Sequence, residues 1–145
     1  MRFSRILLCL ATAAVATLPA TACTDSNAPD RTGLGSYALV SVNGAPLPLT
    51  VIDQPTLKIS VQDGALVLAA NKSYTQTLGV LIVTDGVAAP IEHLSCTGSY
   101  ARSGNTFTLT SVESDACSGV TATGTLDGNT LTVTDDQGEI LVFRR

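Results

Sequence analysis

The chain has 145 residues, four Cys, one His, no Trp and a formal net charge of −4, a length that allows one domain and little more. With 14% of residues charged and 45% hydrophobic, it is too apolar to stay disordered and has enough for one modest core. Beyond the terminal Arg144-Arg145 pair no Lys/Arg cluster occurs, which excludes nucleic acid as a partner because phosphate contacts need several cations.

Residues 1–22 read as a removable export signal. Arg2 and Arg5 precede an apolar stretch over 6–18, and Pro19-Ala20-Thr21-Ala22 supplies small residues before Cys23, the layout of a secretory leader. The stretch is short of the ~20 residues that a spanning helix needs. Without the leader, 123 residues remain, and with Arg2 and Arg5 gone six basic residues face all 12 acidic ones, a net charge of −6. Ala20-Thr21-Ala22 satisfies the A-x-A rule for simple secretion, giving a secreted or periplasmic soluble protein. The same residues followed by Cys23 resemble the lipobox of bacterial lipoproteins, with Ala20 where that family usually has Leu. The resemblance implies diacylglycerol on the Cys23 sulfur and a polar tether over 23–33. Anchoring by several acyl chains is stable where a single chain is marginal. Thr24, in place of the Asp that retains such proteins at the inner membrane, implies an outer-membrane destination.

Cysteine bookkeeping follows from that anchor. Cys9 leaves with the leader and Cys23 goes to lipid, so Cys96 and Cys117 remain as an even pair in an oxidising compartment. A disulfide is expected, closing a loop worth about 3 kcal/mol in the chain-entropy account. The alternative, a metal or redox pair, lacks C-x-x-C spacing and has only His93 to assist.

From residue 34 to 145 the dominant signal is alternation with period two, bounded by turn residues. A strand over 36–42 is followed by Gly44-Ala45-Pro46-Leu47-Pro48, where two prolines break the ladder, and by a loop to about Pro55. Leu57, Ile59 and Val61 alternate with Lys58 and Ser60, and Asp63-Gly64 is expected to turn a hairpin into 65–69. Asn71-Lys72 turns into a strand over 73–84, Asp85-Gly86 turns again, and a strand runs from Val87 toward Cys96 with Pro90 bending it or confining it to an edge. Strands over 98–102 and 106–110 form a hairpin about Ser103-Gly104. After a loop over 111–119 come strands at 120–126, 130–134 and 139–143, separated by Asp127-Gly128 and by residues 135–138.

This pattern predicts an all-β fold, an antiparallel up-and-down barrel of about 8–10 short strands, because consecutive strands joined by tight turns remove their edges by closing on themselves. The segment Gly35-Ser36-Tyr37-Ala38-Leu39-Val40-Ser41-Val42-Asn43-Gly44-Ala45-Pro46-Leu47-Pro48, with Thr97-Gly98-Ser99-Tyr100 and Gly128-Asn129-Thr130-Leu131-Thr132 later, resembles the lipocalin-like bacterial lipoproteins. Lipocalins proper carry G-x-W in the first strand with an Arg of the last strand packed over the Trp. The resemblance therefore implies that Tyr37 takes the place of that Trp, with Arg144 or Arg145 covering it by a cation–π contact; an ordinary core aromatic is the alternative.

Chemistry is sparse. A strand puts His93 and Ser95 on one face, but no G-x-S-x-G context accompanies them, and a hydrolytic triad needs a base beside its nucleophile. One His cannot make a closed zinc site. Asp135-Asp136-Gln137-Gly138-Glu139 lacks the length of an EF-hand loop and reads as a solvated turn. No cofactor, metal or catalytic residue is expected. The expected function is non-enzymatic: an envelope lipoprotein whose barrel binds a small apolar ligand, lined by Leu57, Ile59, Val61, Leu66, Leu68, Phe107, Leu109, Leu131 and Val133. The rival is a solid-core envelope protein that meets a protein partner through loops at 43–55 or 111–119.

Overall fold

A computed structural model describes residues 33–112 and 120–145. Eleven strands run in chain order as β1 (Gly35–Val42), β2 (Ala45–Pro46), β3 (Leu49–Asp53), β4 (Leu57–Leu68), β5 (Ser73–Thr84), β6 (Val87–Ala88), β7 (Glu92–Ser103), β8 (Thr106–Ser111), β9 (Thr121–Asp127), β10 (Thr130–Asp135) and β11 (Ile140–Arg144). Eight of them, β1, β4, β5, β7, β8, β9, β10 and β11, form a closed antiparallel barrel. Closure comes from β1, which pairs with β4 on one edge and β11 on the other. The up-and-down order follows from the tight turns, since each long strand lies beside the next in sequence.

Alternation builds the core. Leu66 and Leu68, Tyr100, Phe107 and Leu109, Leu131 and Val133, and Leu141 and Phe143 point inward and are buried, while Thr106, Thr108 and Thr110 face solvent. Tyr37, Phe107, Phe143, Leu66, Leu68 and Leu131 are the largest fully buried side chains. All six belong to the half of the barrel where β4 ends and β5 begins, so that half is solid. Burying such a side chain contributes about 1.5–3 kcal/mol.

Asp63-Gly64 does not form the expected hairpin. Strand β4 continues through it for 12 residues, paired with β5 from Leu57↔Thr84 to Leu68↔Tyr74. The type I′ turn of a D-G pair needs positive φ at both residues. Asp85 and Gly86 have it, at 51° and 79°, whereas neither Asp63 nor Gly64 has positive φ. Asp63-Gly64 instead follows a bulge between Val61 and Asp63. The extra residue, Gln62, switches the parity of β4. Odd-numbered Leu57, Ile59 and Val61 and even-numbered Leu66 and Leu68 therefore share one face.

Two other expectations change in detail. The loop expected up to Pro55 contains β2 and β3, which pair with β1 and β4. The strand expected from Val87 toward Cys96 is interrupted at 89–91, around Pro90, leaving β6 and β7 as separate strands on β5. Because β4 and β5 outrun the barrel wall, their far ends form a small extension with β3 on one edge and β6 on the other. The loop expected at 111–119 falls on residues 113–119, outside the described residues, for most of its length.

Candidate functional site

The barrel has two unlike ends. At the end where β1 begins, Tyr37 is fully buried and its hydroxyl donates to the Gly33 carbonyl at 2.7 Å. The Arg145 guanidinium lies 4.6 Å from the Tyr37 ring centroid and also donates to its hydroxyl. The aromatic–arginine contact expected from Tyr37 is present, with Arg145 as the cation. A second pair stands beside it: Arg102 lies 5.1 Å over the Phe107 ring, which tilts against Tyr100 at 5.7 Å. This end is plugged.

The opposite end holds a cup of about 220 Å3. Leu78 from β5, Leu109 from β8, Val133 from β10 and Leu141 from β11 make it apolar, together with Tyr74, Val120 and Ala122. Gln76, Asp135 and Glu139 provide its polar groups, and Cys96 also borders it. The Asp135 carboxylate accepts backbone N–H bonds from Gln137 at 2.9 Å and Glu139 at 2.8 Å, which holds the β10–β11 turn at the rim. Most ligand pockets span about 300–1,000 Å3, so the cup suits a single ring or a short acyl segment rather than a large ligand.

Of the nine candidate ligand-lining residues, Leu109 and Val133 border this cup. Leu66, Leu68, Phe107 and Leu131 lie in the packed half. Leu57 and Ile59 are half-buried on the extension, and Val61, at its root beside β3, packs against the barrel core. There they continue the inward face through Val80 and Ile82, their partners on β5. Sequence reasoning missed Leu78 and Leu141, although both alternate in register with residues it identified. Asp135 and Glu139 carry no such signal, because their position depends on where β10 meets β11.

A cleft of about 370 Å3 lies at the plugged end, lined by Leu34, Ala70, Lys72, Tyr100, Arg102, Gly104 and Asn105. The Tyr100 hydroxyl donates to the Ala69 carbonyl at 2.8 Å, and its backbone N–H donates to the Lys72 carbonyl at 2.8 Å. Burial pushes the Tyr100 phenol above its ordinary value of 10.0, with the Arg102 charge acting the other way.

His93 and Ser95 are exposed on the outer face of β7. His93 Nδ1 stands 3.9 Å from Asp63 Oδ1, with both side chains about 60% exposed. The contact crosses β5 over Gly79, the residue that pairs with both of them. A Cβ at Gly79 would lie 2.5 Å from the Asp63 carboxylate, so the missing side chain is what opens the path. Among the described residues no group of three or more His, Cys, Asp or Glu is placed to hold a metal ion. Cys96 is buried; Cys117, its expected partner, and Cys23, the expected lipidation site, lie outside the described residues. No protein-family model matches the chain, and a search of curated proteins likewise finds no match.

Proposed function

We propose that this protein is a non-enzymatic envelope lipoprotein, anchored through Cys23, whose lipocalin-like barrel holds a small apolar ligand in its open mouth. The observation that carries the reading is the contrast between the two halves of one barrel. Fully buried aromatics plug one half, whereas Leu78, Leu109, Val133 and Leu141 leave an apolar cup of about 220 Å3 in the other. Small barrels either fill their interior or hold one ligand, and this chain divides the two solutions along its axis. A ligand longer than the cup extends over Val61, Val80 and Ile82, which continue the same face onto the β4–β5 extension.

An apolar fluorescent probe, N-phenyl-1-naphthylamine, with its phenyl ring seated in the cup and its naphthyl group extending over Val80 and Ile82, tests this. The full chain should enhance its emission, and Leu109→Trp, which fills the cup from a central strand, should abolish the enhancement while leaving the far-ultraviolet spectrum unchanged. Undiminished emission from a folded Leu109→Trp variant would refute the cup as the site. The second reading, a partner-binding envelope protein, is favoured by exposed Val87, Ile91 and Leu94 beside the extension, at 71%, 45% and 44% exposure. Native mass spectrometry separates the two: a small-molecule adduct lost on denaturation supports the cup, and a bare chain supports the partner surface.

A further inference from the structure

The cup is apolar on one side and acidic on the other. Strands β5 and β10 stand four places apart around the eight-stranded wall, whichever way it is followed, so they face each other across the mouth. On the β5 side Leu78 borders the cup, and Val80 and Ile82 carry the same face outward onto the extension. On the β10 side Asp135 and Glu139 border it from the two ends of the β10–β11 turn, which the Asp135 N–H closes onto the Glu139 carbonyl at 3.1 Å. A ligand lying across the mouth therefore meets hydrocarbon at one end and carboxylates at the other.

These carboxylates have no counter-charge among the described residues. Asp135 Oδ1 accepts the N–H groups of Gln137 and Glu139, which fixes the side chain at the rim. Neither Asp135 nor Glu139 forms an ion pair there, and none of the residues that line the cup is Lys, Arg or His. Lys72, Arg102, Arg144 and Arg145 belong to the plugged end. Lys58, on the extension, alternates with Leu57 and Ile59 and so falls on the opposite face from them. The sequence between Val112 and Val120 contains no Lys or Arg either. The Gln76 amide both donates and accepts and so imposes no sign of charge.

An apolar chain seated in the cup brings its head group to this rim. A carboxylate head meets like charge there, and an ammonium head meets opposite charge. We propose that the cup takes an amphiphilic amine, with its hydrocarbon against Leu78, Leu109, Val133 and Leu141 and its cationic nitrogen at the carboxylates of Asp135 and Glu139. The proposal rests on the reading of the cup as a ligand site and narrows it, since amines are to bind more tightly than alcohols or fatty acids of the same length. The cup volume of about 220 Å3 limits the enclosed hydrocarbon to one ring or a short chain.

Displacement of N-phenyl-1-naphthylamine from the full chain at neutral pH by hexylamine, hexanol and hexanoate tests this, because the three compounds differ chiefly in the charge of the head. An accessible ion pair contributes up to about a factor of five. Hexylamine should therefore displace the probe at about fivefold lower concentration than hexanol, and hexanoate at a higher one. Asp135→Asn/Glu139→Gln should bind the probe as the parent does and bring hexylamine level with hexanol; its amide oxygen can still accept the two N–H bonds of the turn. If that variant does not fold, Glu139→Gln alone, which removes no side-chain hydrogen bond among the described residues, should lose part of the preference. Asp136→Asn, in the same turn but outside the cup lining, should keep it. Equal displacement by the three compounds from a parent that binds the probe would overturn the proposal and leave the cup standing as an apolar site. An equal loss from Asp136→Asn and the cup variants would also overturn it, since a diffuse negative field would then account for the preference. A parent that does not bind the probe would refute the cup itself and this proposal with it.

Discussion

Gly98 and Gly124 are both strand glycines on the interior side of the barrel wall, yet the structure predicts opposite responses to the same added methyl group. A Cβ at Gly98 would lie 2.1 Å from the Thr110 carbonyl oxygen, 2.6 Å from the Tyr74 ring and 2.9 Å from the Ser111 Cα. Two of these three obstacles are backbone of β8, which is hydrogen-bonded on both edges, so relief requires moving a strand. At Gly124 the nearest atoms are the Leu131 and Leu109 methyls at 3.3 and 3.5 Å and the Phe107 Cβ at 3.5 Å. Rotation of a leucine accommodates most of that contact. Overpacking a tight core typically costs 1–3 kcal/mol, and a 2.1 Å approach to a backbone oxygen belongs at or beyond the upper end. Gly98→Ala is therefore expected to lose about 3 kcal/mol or more, and Gly124→Ala less than about 1 kcal/mol, because the strand propensity gained over Gly offsets mild crowding. Urea unfolding followed by far-ultraviolet circular dichroism measures both, with the denaturant slope checked for constancy. Losses within about 0.5 kcal/mol of each other would refute the argument that backbone approach, rather than interior position, makes Gly98 necessary.

Arg145→Ala removes both the stacking on Tyr37 and the hydrogen bond to its hydroxyl; a loss of about 1–2 kcal/mol is expected in the same unfolding assay. Tyr100 supplies a pH dependence. Its folded value is raised above 10.0, chiefly by burial, so the folded state holds the phenolic proton more tightly than the unfolded chain, and stability falls as pH rises above 10. Tyr100→Phe should lessen that alkaline fall and cost about 1 kcal/mol at neutral pH through the lost bond to Ala69; an unchanged alkaline slope would count against it. His93→Ala should change stability by less than about 0.5 kcal/mol, since the Asp63 contact is solvent-exposed; a larger change in thermal unfolding would show that the pair does more. For the cysteines, reduction of the exported protein should lower stability by about 3 kcal/mol if Cys96 and Cys117 are joined. Two thiols at these positions reacting with a maleimide in denatured, unreduced protein would exclude that bond.

The barrel was legible in the sequence because its signal is local and repeated. Thr106 to Thr110 alternates threonine with Phe107 and Leu109, and the structure turns the apolar pair inward and the threonines outward. The Asp85-Gly86 turn was equally legible, since the structure gives both residues the positive φ that such a pair adopts readily. Asp63-Gly64 has the same chemistry without that conformation. What decides between turn and strand there is the partner: β5 supplies a ladder from Thr84 back to Tyr74, and that pairing outweighs a two-residue preference. The cleft at the plugged end was hidden for a related reason. Lys72 and Arg102 stand 30 positions apart in the sequence, and they meet at one rim through the β5–β7 pairing, where Ser73 sits opposite Ser99.

The closing pair of the barrel sets the order in which the chain can finish folding. Every long strand from β4 onward pairs with a neighbour already made, but β1 also needs β11, the last strand of the described chain. Joining them bridges about a hundred residues and bears a loop-closure cost that the local hairpins avoid. Until β11 pairs, β1 and β10 each present an unpaired edge of the kind that invites pairing with other chains. Arg145, directly after β11, docks on Tyr37, so the same segment that removes the edges also fastens them. A chain truncated before β11 is therefore expected to aggregate however well its hairpins form.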